Sequence, residues 1–272
     1  MPWTSKHLAW LKKADVRLKT TDGADIEAYE FSPQNDAAVL SDWAKHFRNH
    51  YCLDPDIDEV RTGTGLSRAE YLRQLKFPDE TEGFGPGVRA GDFAEILVAD
   101  YLQYILKFQV PRTRYANKTI RNESTKGCDV IGFKILTPGT DSPDDVLALF
   151  ETKAQLSAGK AEERLQEAVI DSAKDPLKKG ESLNAIKQYL LSKARRADAD
   201  VVARFQNIED RPHRELFGAV AVFSTAAYDP IVIGNTSTKG HPNAAQLKLL
   251  IIHGPDLMTL THALYKRAAD EA

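Results

Sequence analysis

Three acids and one lysine carry the chemistry of this chain. The run Asp145-Val-Leu-Ala-Leu-Phe-Glu-Thr-Lys-Ala-Gln-Leu156 starts as an apolar strand, then places Glu151 and Lys153 where a buried strand should continue. Side chains on a strand alternate faces, so Leu147, Leu149, Glu151, Lys153 and Gln155 share one side. Charges on a core strand are costly unless they pair or hold a metal, and chains accept that cost chiefly at functional sites. Upstream, Lys126-Gly-Cys-Asp-Val-Ile-Gly-Phe-Lys134 sets Asp129 on the face of Ile131 and Phe133, a single acid on an apolar side. Further upstream, Arg89 to Phe108 reads as a helix that is apolar nearly all round. Glu95 stacks there at helical spacing with Ala99, Leu102 and Leu106, so it points inward.

The connection from Thr137 to Asp145 is rich in Pro, Gly and Asp. It points to an antiparallel hairpin that sets Asp129 beside Glu151. Three carboxylates converging with an ammonium suit a hard divalent cation, Mg²⁺ or Mn²⁺, which prefers carboxylate oxygens. Such a cation activates water and stabilises the charge that develops on phosphate during in-line displacement. The lysine would orient or deprotonate the attacking water, or neutralise the phosphorane. The constellation predicts metal-dependent phosphodiester hydrolysis. A plain buried salt bridge between Lys153 and one acid would leave the other two acids without a use.

The series Glu95, Asp129 and Glu151-x-Lys153 resembles the core motif of the PD-(D/E)xK nuclease superfamily, with Gly127-Cys128 where a Pro commonly precedes the Asp. The resemblance implies Asp129 and Glu151 as metal ligands and Glu95 as a further ligand, direct or through water. It implies Lys153 as the catalytic lysine and Gln155 as an accessory on the same face. More narrowly, Gly91-Asp-Phe-Ala-Glu-Ile-Leu97, Lys126-Gly-Cys-Asp129 and Phe150-Glu-Thr-Lys153 resemble the HamA-type nuclease subunit of Hachiman anti-phage systems, over roughly residues 88 to 270. That likeness implies a restriction-endonuclease-like α/β core, its central mixed β-sheet flanked by helices. It also implies a helicase partner (HamB-type) and degradation of DNA when invasion is sensed. Two other readings stand beside it: a catalytically inactive adaptor on the same fold, and a restriction-type endonuclease. The second is less favoured because no separate DNA-reading module is evident.

The surrounding elements must position these groups. At 272 residues, 42% hydrophobic and 28% charged, the chain suits one large soluble domain or a domain with an appendage. Residues 1–85 read as an N-terminal α+β extension suited to binding a partner. In it, Asp15 to Thr20 and Ala24 to Phe31 form a hairpin, Ala37 to Tyr51 and Ser67 to Leu75 form helices, and Gly83 to Gly87 form a hinge. Residues 86–272 read as the nuclease domain. Its later part holds helices over Ala158 to Ser172, Ser182 to Ala197 and about Asp198 to Gln206. Strands follow over Leu216 to Phe223 and Gln246 to Ile252, and Pro255 to Ala269 closes with a helix. Two cysteines, Cys52 and Cys128, exclude a disulfide framework and fit a reducing cytoplasm. No apolar run is long enough for a membrane span.

A net charge of −3 weighs against a large phosphate-binding surface. Arg112, Arg114, Lys118, Arg121 and Lys126 nevertheless crowd into a segment with a single acid, Glu123, between the Glu95 helix and the Asp129 strand. These five are the expected DNA contacts, and a partner would supply the remaining affinity.

Overall fold

Seven strands form one mixed sheet in the computed structural model, which describes residues 2–272. In chain order they are β1 (Leu11–Lys13), β2 (Leu18–Lys19), β3 (Asp25–Phe31), β4 (Val130–Lys134), β5 (Val146–Gln155), β6 (Arg214–Ser224) and β7 (Leu247–Gly254). Across the sheet the order is β1-β3-β7-β6-β5-β4, with β2 also paired to β3. The four central strands β3, β7, β6 and β5 are parallel. The outer strands β1, β2 and β4 join antiparallel.

Parallel strands are covered on both faces, so they must be apolar on both. On β5, Leu147 and Leu149 pack with Ile131, Phe133 and Phe217 on one side. Ala148 and Phe150 pack with Val220, Val222, Leu250 and Ile252 on the other. Gly218 on β6 makes room for Phe150, since a Cβ there would stand 2.4 Å from its ring.

The helices are α1 (Ala37–Tyr51), α2 (Ile57–Arg61), α3 (Arg68–Tyr71), α4 (Gly85–Asp100), α5 (Arg164–Ser172), α6 (Asp175–Ser192), α7 (Arg196–Arg204), α8 (Pro230–Gly234) and α9 (Leu257–Asp270). Trp43 and Phe47 of α1, Phe93 and Leu97 of α4 and Tyr265 of α9 cover the Phe150 face. Leu165 and Val169 of α5 cover the opposite face beside Ala219 and Ala221. Leu183 and Leu190 of α6 and Val202 of α7 complete that layer. The expected α/β class, a mixed sheet between helices, is the architecture found. No helix among the described residues is long and apolar enough to cross a membrane.

Residues 1–85 supply β1, β2 and β3 to this same sheet, with β3 hydrogen-bonded to β7. Several boundaries differ from the sequence reading: α5 begins at Arg164 and not at Ala158, and α4 ends at Asp100, short of Phe108. The run expected as a hinge opens α4: Pro86 sits in its first turn, where no N–H donor is needed. Likewise α6 begins at Asp175 with Pro176 in its first turn, seven residues before the expected start at Ser182. Gly180 lies inside that helix, where its cost of roughly 1 kcal/mol is tolerated.

The end of α4 is pinned by a buried polar network. Asp100 Oδ1 lies 3.0 Å from His46 Nε2 and accepts from Arg112 Nη2 at 2.5 Å, while its Oδ2 meets His7 Nε2 at 2.9 Å. His46 and Arg112 overcome the burial penalty and hold the Asp100 carboxyl well below the usual range. Removing one partner from such a network leaves buried charge uncompensated, at about 3–5 kcal/mol. Asp100→Ala should therefore lower the unfolding free energy by roughly that amount in a urea titration. An unchanged midpoint would show that the network contributes nothing to holding α4.

Candidate functional site

The site lies where β4 begins. Pairing between β4 and β5 runs from Lys134 opposite Val146 to Val130 opposite Phe150, so Asp129 falls beside Glu151. Beyond that point Asp129 takes over the ladder with its side chain: the Thr152 N–H donates to Asp129 Oδ2 at 3.0 Å. The turn into β4 depends on Gly127, which has φ +97°, and a Cβ there would stand 2.6 Å from Ser182 Oγ. That same hydroxyl accepts the Cys128 N–H at 3.0 Å, tying the start of β4 to α6. Burial pushes the Cys128 thiol up to about 12, so it is a core group and not a nucleophile.

Glu95 reaches the same place from α4. Its Oε2 accepts from Tyr115 Oη at 2.5 Å and lies 2.7 Å from Arg114 Nε, an ion pair without the alignment of a hydrogen bond. Arg114 Nη2 also donates to Asp129 Oδ1 at 2.7 Å. One buried guanidinium thus spans the two acids, and its Nη1 is held in turn by the Cys128 carbonyl. A groove lined by Glu95, Arg114, Tyr115, Lys126, Asp129 and Ser182 runs over this edge from α4 to α6.

On β5, Glu151 is 4% exposed. Lys153 Nζ donates to Glu151 Oε1 at 3.0 Å and pairs with Asp171 of α5 at 2.6 Å. Burial alone would lower the Lys153 pKa, but Asp171 and Glu151 together hold it above the ordinary lysine range, so it stays an ammonium. Gln155 points elsewhere: its amide donates to the Lys160 carbonyl at 2.8 Å and accepts the Glu162 N–H, clipping the following loop.

Two residues of α6 join the site that the sequence reading did not single out. Asp175 is fully buried, and neither of its carboxylate oxygens has a hydrogen-bond partner. Lys178 Nζ lies 3.7 Å from both Asp175 Oδ1 and Glu151 Oε2, and the latter oxygen is also unpartnered. Burial and then the Glu151 charge lift Asp175 to about 7. Burial and Asp129 likewise raise Glu151. Burial lifts Glu95 to about 8, with Asp129 and Asp92 adding to it against the pull of Arg114.

Five acids (Glu95, Asp129, Glu151, Asp171 and Asp175) therefore meet four cations, of which Lys174 touches only Asp171. A partly buried cluster with one more acid than cation, and with unpartnered buried oxygens on Glu151 and Asp175, could take a hard divalent cation. Glu151, Asp129 and Glu95 could hold one, the last two once Arg114, which now pairs with both, moves aside.

Among the described residues, the ligand-type group whose atoms all lie within 4.8 Å of one another is a different one: His46, His50 and Asp100. There Arg112 Nη1 already stands 2.8 Å from His50 Nε2 and 3.2 Å from His46 Nε2. A guanidinium occupies the place of a cation. Thr4 N–H donates to His46 Nδ1, which fixes this ring as an acceptor on that side. Three further histidines make other contacts. His241 Nε2 meets Ser172 Oγ, His213 Nδ1 meets the Arg211 carbonyl, and His253 stacks on Tyr228.

The basic segment is largely spoken for. Arg112 pairs with Asp100, Arg114 with Glu95 and Asp129, Lys118 with Asp92 at 2.8 Å, and Arg121 with Asp79 at 2.8 Å. Lys126 is the exposed member of the five. Their charges were legible in the sequence; their acidic partners, far away along the chain, were not.

The family model described as HamA matches residues 6–268. No curated protein matches the chain.

The raised acids set a pH dependence. Glu95 moves from an ordinary 4.5 to about 8, so the folded chain binds this proton more tightly than the unfolded one. Its contribution is fully present below the unfolded value and is lost as pH rises through that window. In metal-free buffer, the melting temperature of Glu95→Gln relative to wild type should rise progressively from about pH 5 to about pH 8.5. A difference that stays flat or shrinks with pH would contradict the account.

Proposed function

The chain belongs to the HamA family, and on that premise we propose that it is the metal-dependent DNA nuclease subunit of a Hachiman anti-phage defence system, acting with a helicase subunit. The observation that carries this reading is Asp129 set against Glu151-x-Lys153 at the start of the edge strand, in a partly buried cluster with unpartnered carboxylate oxygens.

Bound there, Mg²⁺ or Mn²⁺ would activate water and offset the charge that builds on a phosphodiester. Asp129 and Glu151 would hold it, with Glu95 as a further ligand. Asp129 is oriented by the Thr152 N–H, which fixes one oxygen and leaves its carboxylate plane set by the sheet. Lys153, kept protonated by Asp171 and Glu151, serves as a positive charge toward the phosphate and not as a base. Asp171 is a positioning residue: it holds the ammonium from the α5 side. Tyr115 and Arg114 fix the Glu95 carboxylate until the site is filled.

Four of the five cations of the basic segment are taken up by acids of the chain itself. This supports a division of labour in which the helicase subunit delivers DNA and this chain cuts it. The isolated chain should then bind duplex DNA weakly at physiological salt, and the assembled pair much more tightly.

Plasmid incubated with Mg²⁺, the chain and its helicase subunit should be nicked or degraded. Glu151→Gln and Lys153→Ala should each slow cleavage about 10²–10³-fold, the scale for removing one preorganised electrostatic group. If wild type and both variants leave plasmid equally intact in every mixture, the chain is a noncatalytic adaptor on this fold.

A further inference from the structure

The inference rests on the metal-dependent reading above and concerns a residue outside the motif that suggested it. Asp175 is the first residue of α6. The cap position belongs to Lys174, so no first-turn N–H calls for the Asp175 side chain, whose charge favours the helix only through its dipole. The side chain is nonetheless 0% exposed, and neither carboxylate oxygen has a hydrogen-bond partner. Burying a carboxyl this way costs more stability than the helix dipole returns.

What it faces explains the arrangement. Glu151 Oε2, also buried and unpartnered, flanks the same ammonium: Lys178 Nζ is 3.7 Å from each carboxylate. That spacing is too long for a hydrogen bond. It contrasts with Lys153, which grips the other Glu151 oxygen at 3.0 Å. The Lys178 side chain is 32% exposed, so it can swing into solvent at little cost, whereas Asp175 and Glu151 cannot leave. Two fixed carboxylates against one loosely held, replaceable cation is the charge pattern of a site for a divalent ion.

We infer that Asp175 is a further ligand for the divalent cation, closing the site on Glu151 from the α6 side, and that Lys178 is the counter-ion released when the cation binds.

The two residues should act with opposite signs, which a purely structural role would not produce. Mn²⁺ titration of the full chain by calorimetry should show binding weakened about tenfold or more in Asp175→Asn, within the range seen when a metal site loses a supporting group. Binding should instead be strengthened in Lys178→Ala. The metal-free Asp175→Asn protein should melt at or above the wild-type temperature, because a buried unpaired acid has been removed. If Asp175→Asn binds Mn²⁺ like wild type while Glu151→Gln does not, Asp175 is no ligand and the nuclease reading stands. If Lys178→Ala weakens binding or leaves it unchanged, the counter-ion role falls. If wild type itself takes up no Mn²⁺ at millimolar concentration, the metal reading and this inference fall together.

Discussion

The point at which β4 stops pairing with β5 governs the site. Up to Val130 opposite Phe150 the two strands exchange backbone hydrogen bonds, and there the edge strand turns away at Gly127. The ladder is continued by a carboxylate, Asp129, receiving the Thr152 N–H. This one substitution of side chain for backbone forces an acid against Glu151 at the rim of an apolar sheet. The neighbouring charges answer it: Arg114 and Lys153 neutralise part of the cluster, while Glu151 Oε2 and Asp175 are left without partners. Like charges held together out of water raise one another's proton affinity, and a divalent cation relieves that strain more fully than protons do.

Rigidity on both sides keeps the acids from relaxing apart. Phe150, next to Glu151, is locked into the space that Gly218 leaves open. On the other side, α4 carries Glu95 and is fixed at its end through Asp100, His7, His46 and Arg112. Those partners come from the first 85 residues and from the basic segment. The N-terminal part of the chain therefore helps hold Glu95, in keeping with a family match that spans both parts. Asp92, one turn before Glu95, is held in turn by Tyr51 of α1 and by Lys118. Arg112, Arg114 and Lys118 of the basic segment hold acids of α4, Arg121 holds Asp79 ahead of it, and Lys126 is exposed.

Much of this was legible in the sequence. The unbroken apolar run from Leu147 to Phe150 announced a strand covered on both faces, and the Pro/Gly-rich connection announced the hairpin that apposes Asp129 and Glu151. The inward aspect of Glu95 followed from helical spacing alone. What stayed hidden depended on contacts between distant segments. Asp175 falls before the helix expected from Ser182, although the Pro176 that follows it marks a helix start. The ion pairs of the basic segment were not legible, because charge shows in a sequence while its partners do not: Asp92, Asp100 and Asp79 lie well upstream. His46 and His50, one helical turn apart on α1, were a readable pair, but the Asp100 and Arg112 that complete their network could not be inferred from spacing.

The central claim is that the acid cluster at the start of β4 holds a divalent cation. Crystals soaked in Mn²⁺ and measured at the manganese absorption edge test it most directly. The account predicts an anomalous peak between Asp129 and Glu151, with Arg112 still seated between His46, His50 and Asp100. Manganese at the histidine cluster, with none at Asp129 and Glu151, would contradict it.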